Sequence, residues 1–179
     1  LVQAHNGILT QVVRADSTKR EALEQLAVNE FDRVVVAIGG DISASILTCS
    51  VLKSMDIPVI WAKAVDDQHG LILEQLGVHH VVYPEKDMGR RVAHLVRGAA
   101  LDFIEIAPGY AIVKAPAPST IQGKPLGETG IRKTHGVTIA AYHHNGTWTN
   151  ADNSTVLDPD DTILVVGPTR AAEGFAQLL

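Results

Sequence analysis

One cysteine, Cys49, leaves no partner for a disulfide within the chain and fits a reducing compartment. Aromatic residues make up only 4% of the 179 residues, so the core must be built from the many Val, Ile, Leu and Ala side chains. That is the composition of aliphatic α/β layers. No apolar run approaches the roughly 20 residues that cross a bilayer. The basic residues are scattered and the formal net charge is −5, so no basic patch marks a nucleic-acid surface and none is expected as a partner. The G-x-G-x-x-G turn that opens a dinucleotide fold is missing. So are a nucleophile elbow, an HExxH pair and carboxylates paired at helix spacing, and the chain is not expected to be an enzyme. There is no initiator Met and no signal-peptide pattern. Residues 1–7 read as the end of a helix stopped by Gly7, so the chain is expected to begin partway through a domain.

What is present is organised around Arg33 to Gly40, RVVVAIGG. The unbroken apolar run predicts a strand buried on both faces, as in a parallel sheet. Two glycines end it, and Asp41 or Ser43 can cap the helix that follows. A strand, a glycine turn and a helix N-terminus make a corner where backbone N–H groups can meet an anion. An ordinary βα turn has the same pattern.

Around this stretch, short strands and helices alternate. Strands are predicted over 8–15, 33–39, 59–64 and 78–83. Helices are predicted over 19–28 (capped by Asp16-Ser17-Thr18), 41–55, 66–76 and 85–99. This order gives an α/β fold, a Rossmann-like parallel sheet that is incomplete at the N-terminus. The strand over 8–15 reads as the third of the order 3-2-1-4-5-6. Without strands one and two it is cut off from the fourth, unless another segment or chain supplies them.

After residue 102 the pattern changes, giving domains at 1–102 and 103–179. Residues 103–115 read as a strand interrupted by Pro108-Gly109, or as a hairpin. A short helix is expected over 127–135 with Gly136 behind it. Strands follow over 137–142 and 162–166, Asn145-Gly146 is a hairpin signal, and a helix runs over 169–179. This second unit reads as a small α+β domain with a limited core, for which dimerisation is expected.

The segments RADSTKREALEQLAVNEFDRVVVAIGGDISASILTCSVLKSMDIPVIWAKA, VHHVVYPEKDMGRRVA, GKPLGETGIRKTHGVTIAAYHHNG and LDPDDTILVVG together resemble the RCK (regulator of potassium conductance) subunits of TrkA/KtrA type. Residues 103–179 resemble the TrkA-C domain of that family. The resemblance implies a cytosolic regulatory subunit of a bacterial potassium channel or transporter, held at the inner face of the plasma membrane by a membrane-embedded partner. It implies homodimers that assemble into an octameric ring, and gating by a bound nucleotide, ATP or ADP, with NAD(H) as a further ligand. The glycine-rich phosphate loop and the acid after strand two, which would hold the ribose, are not in these residues. Two other readings stand beside this one: an NAD-dependent Rossmann oxidoreductase, and a dimerisation module.

By the resemblance, Asp16, Ser17 and Thr18 border the adenine; plain helix capping explains them as well. Ala37, Ile38 and Gly39 bring their backbone close to the nucleotide, with Ile42 and Ser45 behind. Lys63, at the end of an apolar strand, suits a polyphosphate as a flexible point charge, or simply reaches for solvent. Glu85 stands where the helix dipole favours a carboxylate. The resemblance has it meet the γ-phosphate through Mg or another cation, which makes it the one expected metal ligand. In the second domain Leu126, Arg132, His135, Val137, Thr138 and Ile139 match a cyclic di-AMP site, with Arg132 facing phosphate; a helix-surface arginine is the other reading. The eight histidines include the neighbours His79-His80 and His143-His144. Neighbours in a strand point to opposite faces, so neither pair is expected to chelate an ion, and no carboxylate cluster is expected to join them.

Overall fold

Three consecutive valines, Val34 to Val36, favour extended backbone, and the strand β1 (Arg33–Val36) forms there. It begins a parallel sheet in a computed structural model that describes residues 7–96, 98 and 100–178. The chain divides into two compact units, Leu1–Lys86 and Asp87–Leu179.

In the first unit β1, β2 (Val59–Lys63) and β3 (His80–Val82) lie side by side and parallel, in that order. Among the described residues four helices accompany them: α1 (Arg20–Gln25), α2 (Ile42–Ser54), α3 (Asp67–Gln75) and α4 (Pro84–Val96). Asp41 caps α2 by accepting from the Ala44 N–H (2.9 Å), and Asp66 caps α3 by accepting from the His69 N–H (2.7 Å). One sheet face supplies Val36, Ile60 and Ala62 to a core shared with Leu23, Cys49, Leu52 and Leu73. Burial pushes the Cys49 thiol up to about 11, so it stays protonated and inert.

Two expectations are corrected here. The strand predicted over 8–15 does not form, although Leu9 makes an isolated bridge. In the order 3-2-1-4-5-6 that strand bonds only to the second, and among the described residues no stretch lies in that place. Strands four to six need neither neighbour, and they form the sheet unaided. The strand at 33–36 was also expected to be buried on both faces. Instead Val35 is 69% exposed, in register with Trp61 and through it with His80. Among the described residues nothing covers that row. Trp61 and His80 stack on each other, ring centres 4.1 Å apart. The helix end expected at residues 1–6 lies outside the described residues.

The second unit is built on an antiparallel sheet in the order β4-β5-β8-β6-β7. Its strands are β4 (Asp102–Ala107), β5 (Tyr110–Pro116), β6 (Thr138–His144), β7 (Thr147–Asn150) and β8 (Thr162–Pro168). Residues 103–115 thus form a hairpin, turning at Pro108-Gly109. Asn145 and Gly146 both take positive φ, 47° and 83°, as a tight hairpin turn requires. The helix expected over 127–135 is two short helices, α5 (Leu126–Thr129) and α6 (Ile131–His135), because Gly130 between them sits at φ 66°. The helix α7 (Thr169–Ala176) lays Ala172, Phe175 and Ala176 on the sheet. The later part of α4 belongs to this unit. Arg91 grips Asp102 with two hydrogen bonds (2.8 and 2.7 Å), and His94 pairs with Glu173 and stacks on Phe103.

Candidate functional site

In a parallel sheet the strands share one carboxyl edge, and loops leaving that edge converge. Here they bring together Ala37, Ile38 and Gly39 after β1, Lys63 at the end of β2, and Glu85 in the first turn of α4 after β3. The Lys63 ammonium lies against Gly39: a Cβ at that glycine would be 2.8 Å from Nζ. Glycine is the residue that leaves this space free. On its other side the ammonium is ion-paired with Glu85. That hydrogen bond holds the Glu85 carboxyl below its ordinary range. The Lys63 side chain is 23% exposed and that of Glu85 63%, so the cation is the more fixed member.

Ile42 and Ser45 lie in the first turn of α2. Ile42 is exposed, whereas Ser45 is fully buried and its hydroxyl has no partner among the described residues. A buried hydroxyl without a partner is costly. Of Asp16, Ser17 and Thr18, which precede β1, Ser17 reaches the same helix: its Oγ and Thr48 Oγ1 are 3.0 Å apart. Asp16 accepts from the N–H (3.0 Å) and the hydroxyl (2.6 Å) of Thr18, which lowers its pKa. This closes a turn ahead of α1; the N-cap itself is Lys19, without a side-chain bond, so the expected capping by this triplet is not seen.

In the second unit a cavity of about 260 Å³ is lined by Leu126, Arg132, Val137, Thr138 and Ile139. These are five of the residues expected to meet there. The sixth, His135, does not line the cavity; its ring packs edge-on against Phe175, 5.2 Å away. Gly127 and Gly130 line it as well, and Ile131, Lys133, Ala151, Asp152 and Asn153, which the sequence did not single out, complete the wall. Gly127 donates its N–H to the Asn153 carbonyl (2.9 Å), and a Cβ there would sit 3.1 Å from that oxygen. Asp152 Oδ1 accepts from the Ser154 hydroxyl and N–H and from Thr155, and its carboxyl is held below the usual range. An Asx turn of this kind leaves a recognisable D-N-S-T run, a signal that could have been read.

The histidine pairs point to opposite faces. His79 Nδ1 accepts from the Ile60 N–H (2.9 Å), while His80 stacks on Trp61. The expectation that no carboxylates join a histidine is corrected at His144. Its Nδ1 is 2.7 Å from Asp161 and 3.7 Å from Asp158. The three come together because the turn at 158–161 returns the chain beside the end of β6, a contact 17 residues apart that no local pattern announces.

The TrkA-N domain model matches residues 1–84 and the TrkA-C domain model residues 110–179. The Ktr system potassium uptake protein C of Bacillus subtilis (strain 168) is 34% identical over 176 residues, 97% of this chain and 80% of that one. The chain belongs to the KtrA/TrkA-type RCK family. The Ktr system potassium uptake protein A of Vibrio alginolyticus is likewise 34% identical, over 90% of this chain and 74% of that protein. The GsuK channel, solved bound to NAD, shares the fold with a TM-score of 0.61 at 21% identity, over 98% of this chain. This RCK chain spans only 32% of the GsuK chain. Among the described residues no helix is long and apolar enough to cross a membrane.

Proposed function

We propose that this RCK chain is a regulatory subunit that binds a nucleotide at the carboxyl edge of its parallel sheet and gates a membrane-embedded potassium channel or transporter. The observation that carries the reading is the corner of Gly39, Lys63 and Glu85, a cation held against backbone that has no side chain in the way. The relatives named as potassium uptake proteins support the role, and the GsuK channel bound to NAD supports a nucleotide of this general kind. ATP and ADP are the ligands proposed first, with NAD(H) as the other. Lys63 would meet phosphate, and Glu85 would meet it through Mg or another cation that supplies the missing positive charge. The protein works by preferring one conformation when liganded, not by turnover. It acts as a dimer within a ring, at the cytoplasmic face of the membrane. In the second unit, the side chains of Arg132 and Lys133 line the cavity without a hydrogen bond or ion pair among the described residues, which favours cyclic di-AMP as a second ligand there.

The test is a thermal-shift and calorimetry series with ATP, ADP, NADH and cyclic di-AMP, each with and without Mg²⁺. A ligand that binds only the folded chain raises its Tm by mass action, by about 2.7 kcal/mol of stability at a hundredfold excess over Kd. ATP or ADP is expected to raise the Tm, and Lys63→Gln to remove that rise. Cyclic di-AMP is expected to act through Arg132 and to be indifferent to Lys63. Consumption of NADH, or an ATP response untouched by Lys63→Gln, would refute the reading.

A further inference from the structure

We propose that Glu85 is a built-in competitor for Lys63, so that a polyanionic ligand enters this corner only by taking the ammonium away from it. The inference rests on the nucleotide reading above and adds what selects the ligand. Lys63 stands among acids. The loops that leave the same sheet edge carry Asp41 after β1, Asp66 and Asp67 after β2, and Glu85 after β3. Asp41 and Asp66 are occupied as helix caps, and Asp67 pairs with Lys86 (2.6 Å). Glu85 alone of the four is spent on Lys63.

The asymmetry of the pair decides which member yields. Lys63 is confined between Gly39 and the carboxylate, whereas Glu85 is mostly in solvent. An exposed carboxylate regains water when released, so the pair is weak enough to lose to a ligand with several negative charges, which gains more from the ammonium than a singly charged one does. Releasing Glu85 does not unmoor α4, because Lys86 and Asp67 still tie its first turn to the start of α3. A cation bound with the ligand takes up the freed carboxylate and so ends its competition for the ammonium. Glu85 is thus a specificity-determining residue: it sets a threshold of ligand charge in the absence of a cation.

The experiment is calorimetric titration of ATP and ADP into the full chain, in EDTA and then in Mg²⁺, with Glu85→Gln, Lys63→Gln and the double variant. Both side chains are at the surface, and an unchanged Tm without ligand checks each fold. In EDTA, Glu85→Gln is expected to bind ATP up to about fivefold more tightly than the parent, the range an exposed ion pair spans. Lys63→Gln should bind weakly, and the double variant no better, because the competitor has nothing left to compete for. In Mg²⁺ the advantage of Glu85→Gln should shrink. Equal or weaker ATP binding by Glu85→Gln in EDTA overturns the competitor. A double variant that binds more tightly than Lys63→Gln also overturns it, since Glu85 would then be repelling the ligand at a distance. If the parent and every variant fail to bind either nucleotide, the nucleotide reading falls and this inference falls with it; if the parent binds and only the Glu85 effect is missing, the nucleotide reading survives.

Discussion

Phe175→Ala is expected to lower the stability of the second unit by about 3–5 kcal/mol, the usual cost of truncating a buried aromatic ring. Domains have only about 5–15 kcal/mol in total, so a large part of the stability goes with this one ring. The reason is local to the sheet. The inward residues of β5 are Ala111, Val113 and Ala115, all fully buried, and two of the three are too small to fill the space above them. Helix α7 supplies the bulk through Phe175, which is 1% exposed and shares one cluster with Ile163, Val165 and Ile139. Ala172 and Ala176 on the same helix face are too small to fill the hole. Phe175→Leu keeps most of the volume and should cost far less. The measurement is the Tm of the full chain, with hydrogen exchange at the Val113 and Val165 amides as the local readout. At roughly 4–8 °C per kcal/mol for a unit of this size, Phe175→Ala should shift the transition by more than 12 °C. A shift below 4 °C would mean that the ring is not the filler of this core.

Asp161→Ala is the second large effect, and it carries a pH signature. Asp161 is 2% exposed and accepts both from the Asp158 N–H (2.9 Å) and at His144 Nδ1 (2.7 Å). Its own carbonyl accepts from the Ala117 N–H (2.8 Å), so the turn at 158–161, the end of β6 and the end of β5 all meet on this residue. Removing the carboxylate leaves the Asp158 amide without its partner, and about 2–3 kcal/mol should be lost, near 10 °C or more in Tm. The hydrogen bond with Asp161, and then the charges of Asp161 and Asp158, raise the His144 pKa above its ordinary 6.5. A raised pKa means that the folded chain holds this proton more tightly than the unfolded one. The stabilisation is therefore complete below pH 6.5 and is lost as pH rises through the folded value. The parent should lose stability relative to His144→Gln as pH rises above 6.5, and Asp161→Asn should flatten that slope while keeping the turn. A slope that survives in Asp161→Asn would show that another group is responsible. NMR titration of the His144 ring would give the shift directly.

Much of this molecule is written in short stretches. The valines of β1, the caps at Asp41 and Asp66, and the Asn145-Gly146 turn each depend on residues within four positions of one another. Backbone sterics and local hydrogen bonds settle them before any distant contact forms. The same holds for the alternation that gives the parallel sheet, and for the change of pattern that separates the antiparallel second unit. Lys63 and Glu85 were each legible as a charge at an element end, and Arg132 as a cation in a glycine-flanked helix.

What the sequence could not determine depends on which segments become neighbours. The stretch 8–15 has a strand's composition but no ladder to join, and a strand without a partner leaves its backbone groups unpaired. Val35 reads as core and is exposed, because burial of a strand face needs a covering layer that the strand itself does not encode. The pairing of Lys63 with Glu85, 22 residues apart, follows from parallel strands sharing one edge, and its contact with Gly39 exists only once β1 and β2 are side by side. The meeting of His144 with Asp161, and of Phe175 with the alanines of β5, is of the same kind. Sequence determines the elements and the chemistry each can offer; the tertiary structure alone decides which charges face each other, and so which ones a ligand must displace.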